Sequence, residues 1–379
     1  MAEFDMVFEG GGAKGAVFVG ALQVLDAQGH TGRRFIGTSA GAITATLLAA
    51  GYTPKEMYGV VREKLADGKP RFTSFMDPPA KTDFTQADLD DSVTQETLDK
   101  VDLPLVPSSI EKRIDRILLG SLMSNERYRQ LFSFVERGGF YQGKAFLDWL
   151  DEKLAAKGVA KGATLAQFAA GPRKPDLSLV ASDTTAQEML VLNHRTAPEV
   201  PVAWAVRMSM SIPFVWQEVI WKKEWGTYRA TNKSGNTIVD GGVLSNFPIR
   251  LVADPDADDR LMMGNEDPGG AESLGMLIDE RIDVHGEPAA LPSKNKIANL
   301  RTVQRISRLI DTMTGASDNE MIRFYASSIC HLPAKGYGTL EFDLDGDRLM
   351  NFLKAGQAAM IEHLKGRGLY DPAKAPPIT

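Results

Sequence analysis

The chain has 379 residues, 43% of them hydrophobic and 24% charged, with a formal net charge of -6 at pH 7. That is enough apolar material for one large core or two ordinary ones, and it rules against a disordered or fibrous chain. The acidic balance supplies no general field for nucleic acid or anionic membrane, so no nucleic-acid binding is expected and membrane contact has to come from a local patch. Cys330 is the only cysteine, which excludes an internal disulfide and a cysteine zinc cluster. Its apolar neighbours Ile329 and Leu332 mark it as a core thiol. The opening MAEFDMVFEGGG has no basic stretch of the secretory kind, and no run of about 18 apolar residues spans a bilayer. The expected location is the cytoplasm, with at most peripheral contact with a membrane.

Met6-Val7-Phe8 is a short apolar run that leads into Gly10-Gly11-Gly12, and an apolar helical pattern follows over 16–27. Arg34-Phe35-Ile36 predicts a second strand ending at Gly37, and the small, apolar stretch 40–50 predicts a helix set close against a sheet. Right-handed crossover makes these two strands parallel neighbours or near neighbours. Periodicity weakens over about 71–120, where Pro78, Pro79, Pro104 and Pro107 predict an irregular insertion, a candidate lid or docking surface. It returns over 121–157, where Phe146, Leu147, Trp149, Leu150 and Leu154 mark a helix.

Further on, 177–181 predicts a buried strand, 204–210 a helix, 215–221 a strand, and 237–240 a strand ending in Asp240-Gly241-Gly242. The Asp- and Pro-rich stretch 254–270 predicts a solvated loop, 275–279 a strand, 339–342 another, and 348–364 a last helix. Over 296–313, Ile297, Leu300, Ile306, Leu309, Ile310 and Met313 recur at near-helical spacing beside Arg301, Arg305 and Arg308. Such a helix either packs on the core with a solvated basic face or lies on anionic lipid. No repeat or low-complexity linker divides the chain, so one domain over 1–379 is expected.

Gly37-Thr38-Ser39-Ala40-Gly41 is a G-x-S-x-G pentapeptide between a predicted strand and a predicted helix. That is the context of a nucleophile elbow, in which a tight turn projects the serine hydroxyl. The plainer reading is a turn whose serine only caps the helix. Gly10-Gly11-Gly12-Ala13-Lys14-Gly15 fits G-x-G-x-x-G. Dinucleotide binding expects an acid at the end of the second strand, and a P-loop expects Ser or Thr after the lysine. Neither is present, and side-chain-free amides beside a serine suit an oxyanion hole instead.

A serine nucleophile needs a base, which in α/β-hydrolases is a histidine after an acid. His285, His331 and His363 follow Ser39 outside any recognisable motif, whereas Asp240 ends a strand and is followed by a glycine pair. An ordinary Asp-Gly turn is the competing reading. Asp343, Asp345 and Asp347 hint at a calcium loop, but Arg348 and Lys354 stand where that loop needs Gly and Glu. No metal is expected.

The glycine loop, the serine pentapeptide and Asp240-Gly241-Gly242, in that order, resemble the patatin-like phospholipase family. LVASDTT (179–185), AVRMSMSIPFVW (205–216), GGVLSNFPI (241–249) and KGYGTLEFDL (335–344) are similar to its other segments. The resemblance covers most of the chain and is weakest at 70–120 and 255–272. It implies a three-layer α/β/α fold with a central, mostly parallel mixed sheet. It also implies Ser39 as nucleophile and Asp240 as base of a catalytic dyad, with Gly10, Gly11 and Gly12 as the oxyanion hole. Gly37, Thr38, Ala40 and Gly41 complete the elbow, and Gly241 and Gly242 the turn after the base. Lys14, where the family often has arginine, has an implied loop-orienting role. The implied reaction is hydrolysis of phospholipid, lysophospholipid or other fatty-acyl esters through an acyl-enzyme, with no cofactor. A regulated effector, whose lipase activity needs a ligand or protein partner, is the alternative.

Overall fold

In the computed structural model, which describes residues 1–94, 96, 121–264, 271–286 and 321–376, side-chain alternation along the first strand sets the layering. Strand β1 (Glu3–Phe8) sends Phe4, Met6 and Phe8 into one buried cluster and Val7 into another. Successive strand side chains point to opposite faces, so the sheet is covered on both. The same split recurs in β2 (Thr31–Thr38), β3 (Asp176–Asp183) and, after β4 (Glu188–Leu192), β5 (Val219–Ile220) and β6 (Thr237–Asp240), in β7 (Glu272–Asp283) and β8 (Ile329–Lys335). The larger cluster holds helices α1 (Val17–Gln28), α2 (Ala40–Ala50), α3 (Lys144–Ala156), α4 (Val202–Ser209) and α5 (Gly346–Gly366). Short helices at Arg250–Ala253 and Ala257–Met263 line the other face. The three-layer α/β/α expectation therefore holds, with one thick and one thin helical layer among the described residues.

Among the described residues the sheet has eight strands and runs β8-β7-β1-β2-β3-β6-β5, with β4 also paired to β3. β8, β7, β1, β2 and β3 are mutually parallel, while β4 and β6 run antiparallel to β3. Register on β3 matters most. Thr38 of β2 stands opposite Val180, and Asp240 of β6 stands opposite Ala181. Because β4 pairs with both of those β3 residues on the other edge, β2 and β6 share one edge and meet head-on. The strand ends carrying Ser39 and Asp240 are thereby brought together.

Several expectations need correction. The 121–157 stretch is two helices, Glu126–Arg137 and α3, divided by Gly138 at φ 72 and the short strand Gly139–Tyr141. The 215–221 strand is two pieces, because Phe214–Trp216 pairs with Gly139–Tyr141 while β5 joins the main sheet. Within 254–270 the acids are not simply a solvated loop. Asp256 caps Ala257–Met263 in a capping box with Asp259, which is buried and lies 2.9 Å from Arg250. Acids at a helix start are favoured by its free N–H groups and dipole. Residues 339–342 form turns, held by Gly338 and Glu341, and the strand in that region is β8.

β4 had no counterpart in the sequence reading, and the predicted helix over 296–313 lies outside the described residues, as do 97–120. The described start of the 71–120 stretch is a set of short turns and the helix Gln86–Asp90, with Phe72 and Phe75 against Trp149. Cys330 is buried, and burial pushes its thiol up to about 12. Among the described residues no helix is long and apolar enough to cross a membrane.

Candidate active site

β2 ends at Thr38 and α2 starts at Ala40, so Ser39 alone makes the turn, at φ 53 and ψ -118. A non-glycine residue there carries strain of roughly 1–3 kcal/mol, which persists only where the surroundings impose it. Here the Ser39 N–H donates to Ser209 Oγ at 3.0 Å, and the Ser39 carbonyl accepts from Ala42 and Ile43 at 3.0 and 3.3 Å. The flanking glycines allow the close approach. A Cβ on Gly37 would lie 2.2 Å from Gly41 O, and one on Gly41 would lie 2.2 Å from Phe8 O. Thr38 Oγ1 donates to Ser245 O at 3.2 Å, and Ala40 is buried against Gly15.

Asp240 faces this turn from the end of β6. Its N–H donates to Ser211 O at 2.9 Å, and its Oδ1 accepts the Gly242 N–H at 2.7 Å. Gly241 has no room for a side chain, since a Cβ would lie 2.3 Å from Val180 O. Burial pushes the Asp240 carboxyl up to about 7, against the opposing pull of the Ser39 hydroxyl and the Gly242 N–H. Oδ2 is buried without a hydrogen bond of ordinary geometry.

That shift has a consequence for stability. The folded pKa, about 7, lies above the 3.8 of the free group, so the proton stabilises the folded state. Its contribution is full below the unfolded pKa and is lost as pH rises through the folded one, on the order of 4 kcal/mol in all. Asp240→Asn keeps the shape without the charge. It should unfold at higher urea than the wild type at about pH 8.5, with the gap shrinking toward about pH 4. A pH-independent gap in the urea midpoints would contradict this account.

In the glycine loop, Gly10 is bracketed by Asn246. Its N–H donates to Asn246 O at 3.1 Å, and its carbonyl accepts from Asn246 Nδ2 at 3.0 Å. Asn246 Nδ2 also reaches Glu9 Oε1 at 3.1 Å, and Glu9 Oε2 accepts the Ile278 N–H at 2.5 Å. The next amides along, Ala13 and Lys14, donate to Thr339 O and Gly11 O at 2.9 and 3.2 Å. Gly11 and Gly12 are left with N–H groups that have no acceptor among the described residues. Of the three glycines in the expected oxyanion hole, Gly10 is thus an anchor whose donor is already used. Lys14 is buried and paired with the exposed Glu280. The backing residues Glu9, Asn246 and Ser209 were not singled out by sequence; 205–216 and 241–249 merely looked family-like.

Two cavities meet at Ser39. One, about 720 Å³ with its opening, is walled by apolar groups including Leu47, Met57, Phe72, Phe75 and Trp149. The other, about 650 Å³, is polar and is lined by Glu9, Lys14, Asp240, Asn246, Glu280 and Thr339. Ser39, Gly12 and Ile212 line both. No histidine lines either. His30 bridges Ala2 N and Leu369 O, His331 faces Asp279 at 3.0 Å, and burial pushes His363 down to about 4.

A family model described as patatin-like phospholipase matches residues 6–253, which include the glycine loop, Ser39 and Asp240. The uncharacterized protein YqhO of Bacillus subtilis (strain 168) is 34% identical over 255 residues, 66% of this chain. The match spans 66% of YqhO, just under two thirds of its length. The crystal structure of VipD from Legionella pneumophila covers 97% of this chain and 67% of its own, at 17% identity and a TM-score of 0.45. ExoU of Pseudomonas aeruginosa, in complex with SpcU, covers 97% of this chain and 53% of its own, at 16% identity and a TM-score of 0.39.

Proposed function

The chain belongs to the patatin-like phospholipase family, and from that premise we propose that it is a serine lipid acyl hydrolase acting on carboxylic esters of phospholipids or lysophospholipids. The observation that carries the reading is the meeting of an apolar and a polar cavity at Ser39, beside a carboxyl that burial has pushed up to about 7. An acyl chain fits the apolar cavity, and the leaving alcohol with its polar head fits the other.

In the proposed reaction the Asp240 carboxylate takes the Ser39 proton as Oγ attacks the ester carbonyl. The N–H groups of Gly11 and Gly12 and the N-terminus of α2 hold the oxyanion. Asp240 then gives the proton to the departing alcohol oxygen, leaving Ser39 acylated. Water, deprotonated by Asp240, attacks the acyl-enzyme, and Asp240 returns that proton to Ser39 Oγ as the ester bond breaks and the fatty acid leaves. No step calls on a metal or organic cofactor. Lys14, through Glu280, holds the glycine loop in place. One domain over 1–379 carries the site, and 71–120 is its proposed lid or docking surface.

A fluorophosphonate probe should form one adduct, mapped by peptide mass spectrometry to Ser39, and folded Ser39→Ala should take up none. An adduct on another serine would overturn the assignment. Hydrolysis of phospholipid vesicles by the purified chain, with nothing added, separates a constitutive enzyme from one that a ligand or partner must switch on.

A further inference from the structure

We infer that Ser209 is a positioning residue for the nucleophile, and that the end of α4 is the template that sets Ser39 against Asp240; the inference rests on the acyl-hydrolase reading above. Ser209 is fully buried, and its hydroxyl is used in both senses. It accepts the Ser39 N–H at 3.0 Å and donates to Val180 O at 2.5 Å. Val180 is the β3 residue opposite Thr38, so one hydroxyl ties the strained turn to the strand that sets its register. Two residues on, Ser211 O accepts the Asp240 N–H at 2.9 Å. A single turn of chain therefore holds the backbone N–H of both members of the dyad.

A serine near a helix end ordinarily bonds back to a carbonyl of its own helix. Ser211 does this, donating from Oγ to Arg207 O at 2.5 Å. Ser209 bonds outward instead, to two other elements, neither of them its own helix. The turn it belongs to is itself fixed. Arg207 is buried, donates to Ser211 Oγ, and reaches Gln142 O and Gln217 O at 3.1 and 2.9 Å. Between the two serines, Met210 lines the apolar cavity, and Ile212 just beyond lines both. The element that aligns the dyad also shapes where the acyl chain enters.

Without the Ser209 hydroxyl, the Ser39 N–H loses the acceptor that fixes the peptide on one side of the turn. A strained residue then relaxes toward ordinary geometry, and Oγ moves with it. A misplacement of about 1 Å at a reacting group costs up to roughly a hundredfold in rate. The expected result is that Ser209→Ala lowers kcat on a short-chain p-nitrophenyl ester by roughly ten- to a hundredfold, with KM little changed. The rate of fluorophosphonate labelling at Ser39 should fall in parallel. Ser209→Thr, which keeps the hydroxyl, should recover most of the loss, and the acid limb of the pH profile should stay where Asp240 puts it in every variant.

Ser209→Ala with a lower melting temperature but wild-type kcat and labelling rate would reduce Ser209 to a structural hydroxyl and sink the inference. So would a shift of the acid limb, which would mean that Ser209 acts on the base. If Ser209→Ala or Ser209→Thr does not fold, Ser209→Cys, with its weak donor and acceptor, provides the comparison and should fall between wild type and Ala. Failure of the underlying reading looks different. In that case the wild-type label maps away from Ser39, whatever Ser209 does.

Discussion

Asp240→Asn should leave a folded protein whose kcat is reduced by at least roughly a hundred- to ten-thousandfold, the range that loss of a general base costs. His285→Ala, His331→Ala and His363→Ala should each keep most of their activity. The contrast follows from what surrounds Ser39. Among the described residues, the titratable groups lining the two cavities are Glu9, Lys14, Asp240 and Glu280, and none of the histidines. A carboxylate is ordinarily too weak a base to take a serine proton near neutrality. Burial without a compensating cation removes that obstacle by raising the Asp240 pKa to about 7, close to where a general base works best.

The sign of the pH dependence follows. In the proposed reaction only ionised Asp240 accepts the proton, so kcat/KM should fall about tenfold per pH unit below the folded pKa and level off above it. Stability runs the other way, since the same ionisation weakens the fold as pH rises. Activity and stability should therefore cross near neutrality, a pattern that a Ser-His-Asp enzyme with its acid paired to imidazole would not show. A dead, folded histidine variant beside an active Asp240→Asn would hand the serine to a three-residue machine instead.

How much of this was legible before the structure depends on the range of the contacts involved. β1, β2, β6, α1 and α2 could be read because their patterns are local: an apolar run stops at glycines, and a small-residue helix follows. The place of Ser39 between strand and helix comes from the same kind of signal. β4 and the division of 215–221 were missed because partner strands decide them, and no periodicity distinguishes those partners. The acids of 254–259 read as a solvated loop, yet two of them form a capping box, a spacing signal present in the sequence. The backing of the site is illegible for a stronger reason. Ser209 lies 170 positions from Ser39, and Asn246 lies 236 from Gly10. Short polar residues in loops carry no pattern that announces such bonds.

Gly12→Ala should be the most damaging single change in the glycine loop, costing roughly a hundred- to a thousandfold in kcat, as loss of an oxyanion donor does. Gly12 sits at φ 57, where an L side chain is strained, and a Cβ there would lie 2.2 Å from Thr339 O. That oxygen belongs to backbone and also accepts the Ala13 N–H at 2.9 Å, so it cannot step aside without releasing the loop. The Gly12 peptide has to turn, and its N–H leaves the position where the proposed oxyanion would form. Gly11 is different. Its φ of -175 lies outside the left-handed region, and a Cβ would meet Ile278 Cδ1 at 2.4 Å, the far end of a flexible side chain. Gly11→Ala should therefore cost less than Gly12→Ala, with the β-branched Gly11→Val between them. KM should change little in all three, because the donors act on charge that develops only in the transition state. The measurement is kcat and KM on a soluble ester, with circular dichroism to confirm folding. A folded Gly12→Ala within a few-fold of wild-type kcat would move the oxyanion away from this loop, leaving the first amides of α2 as its holders.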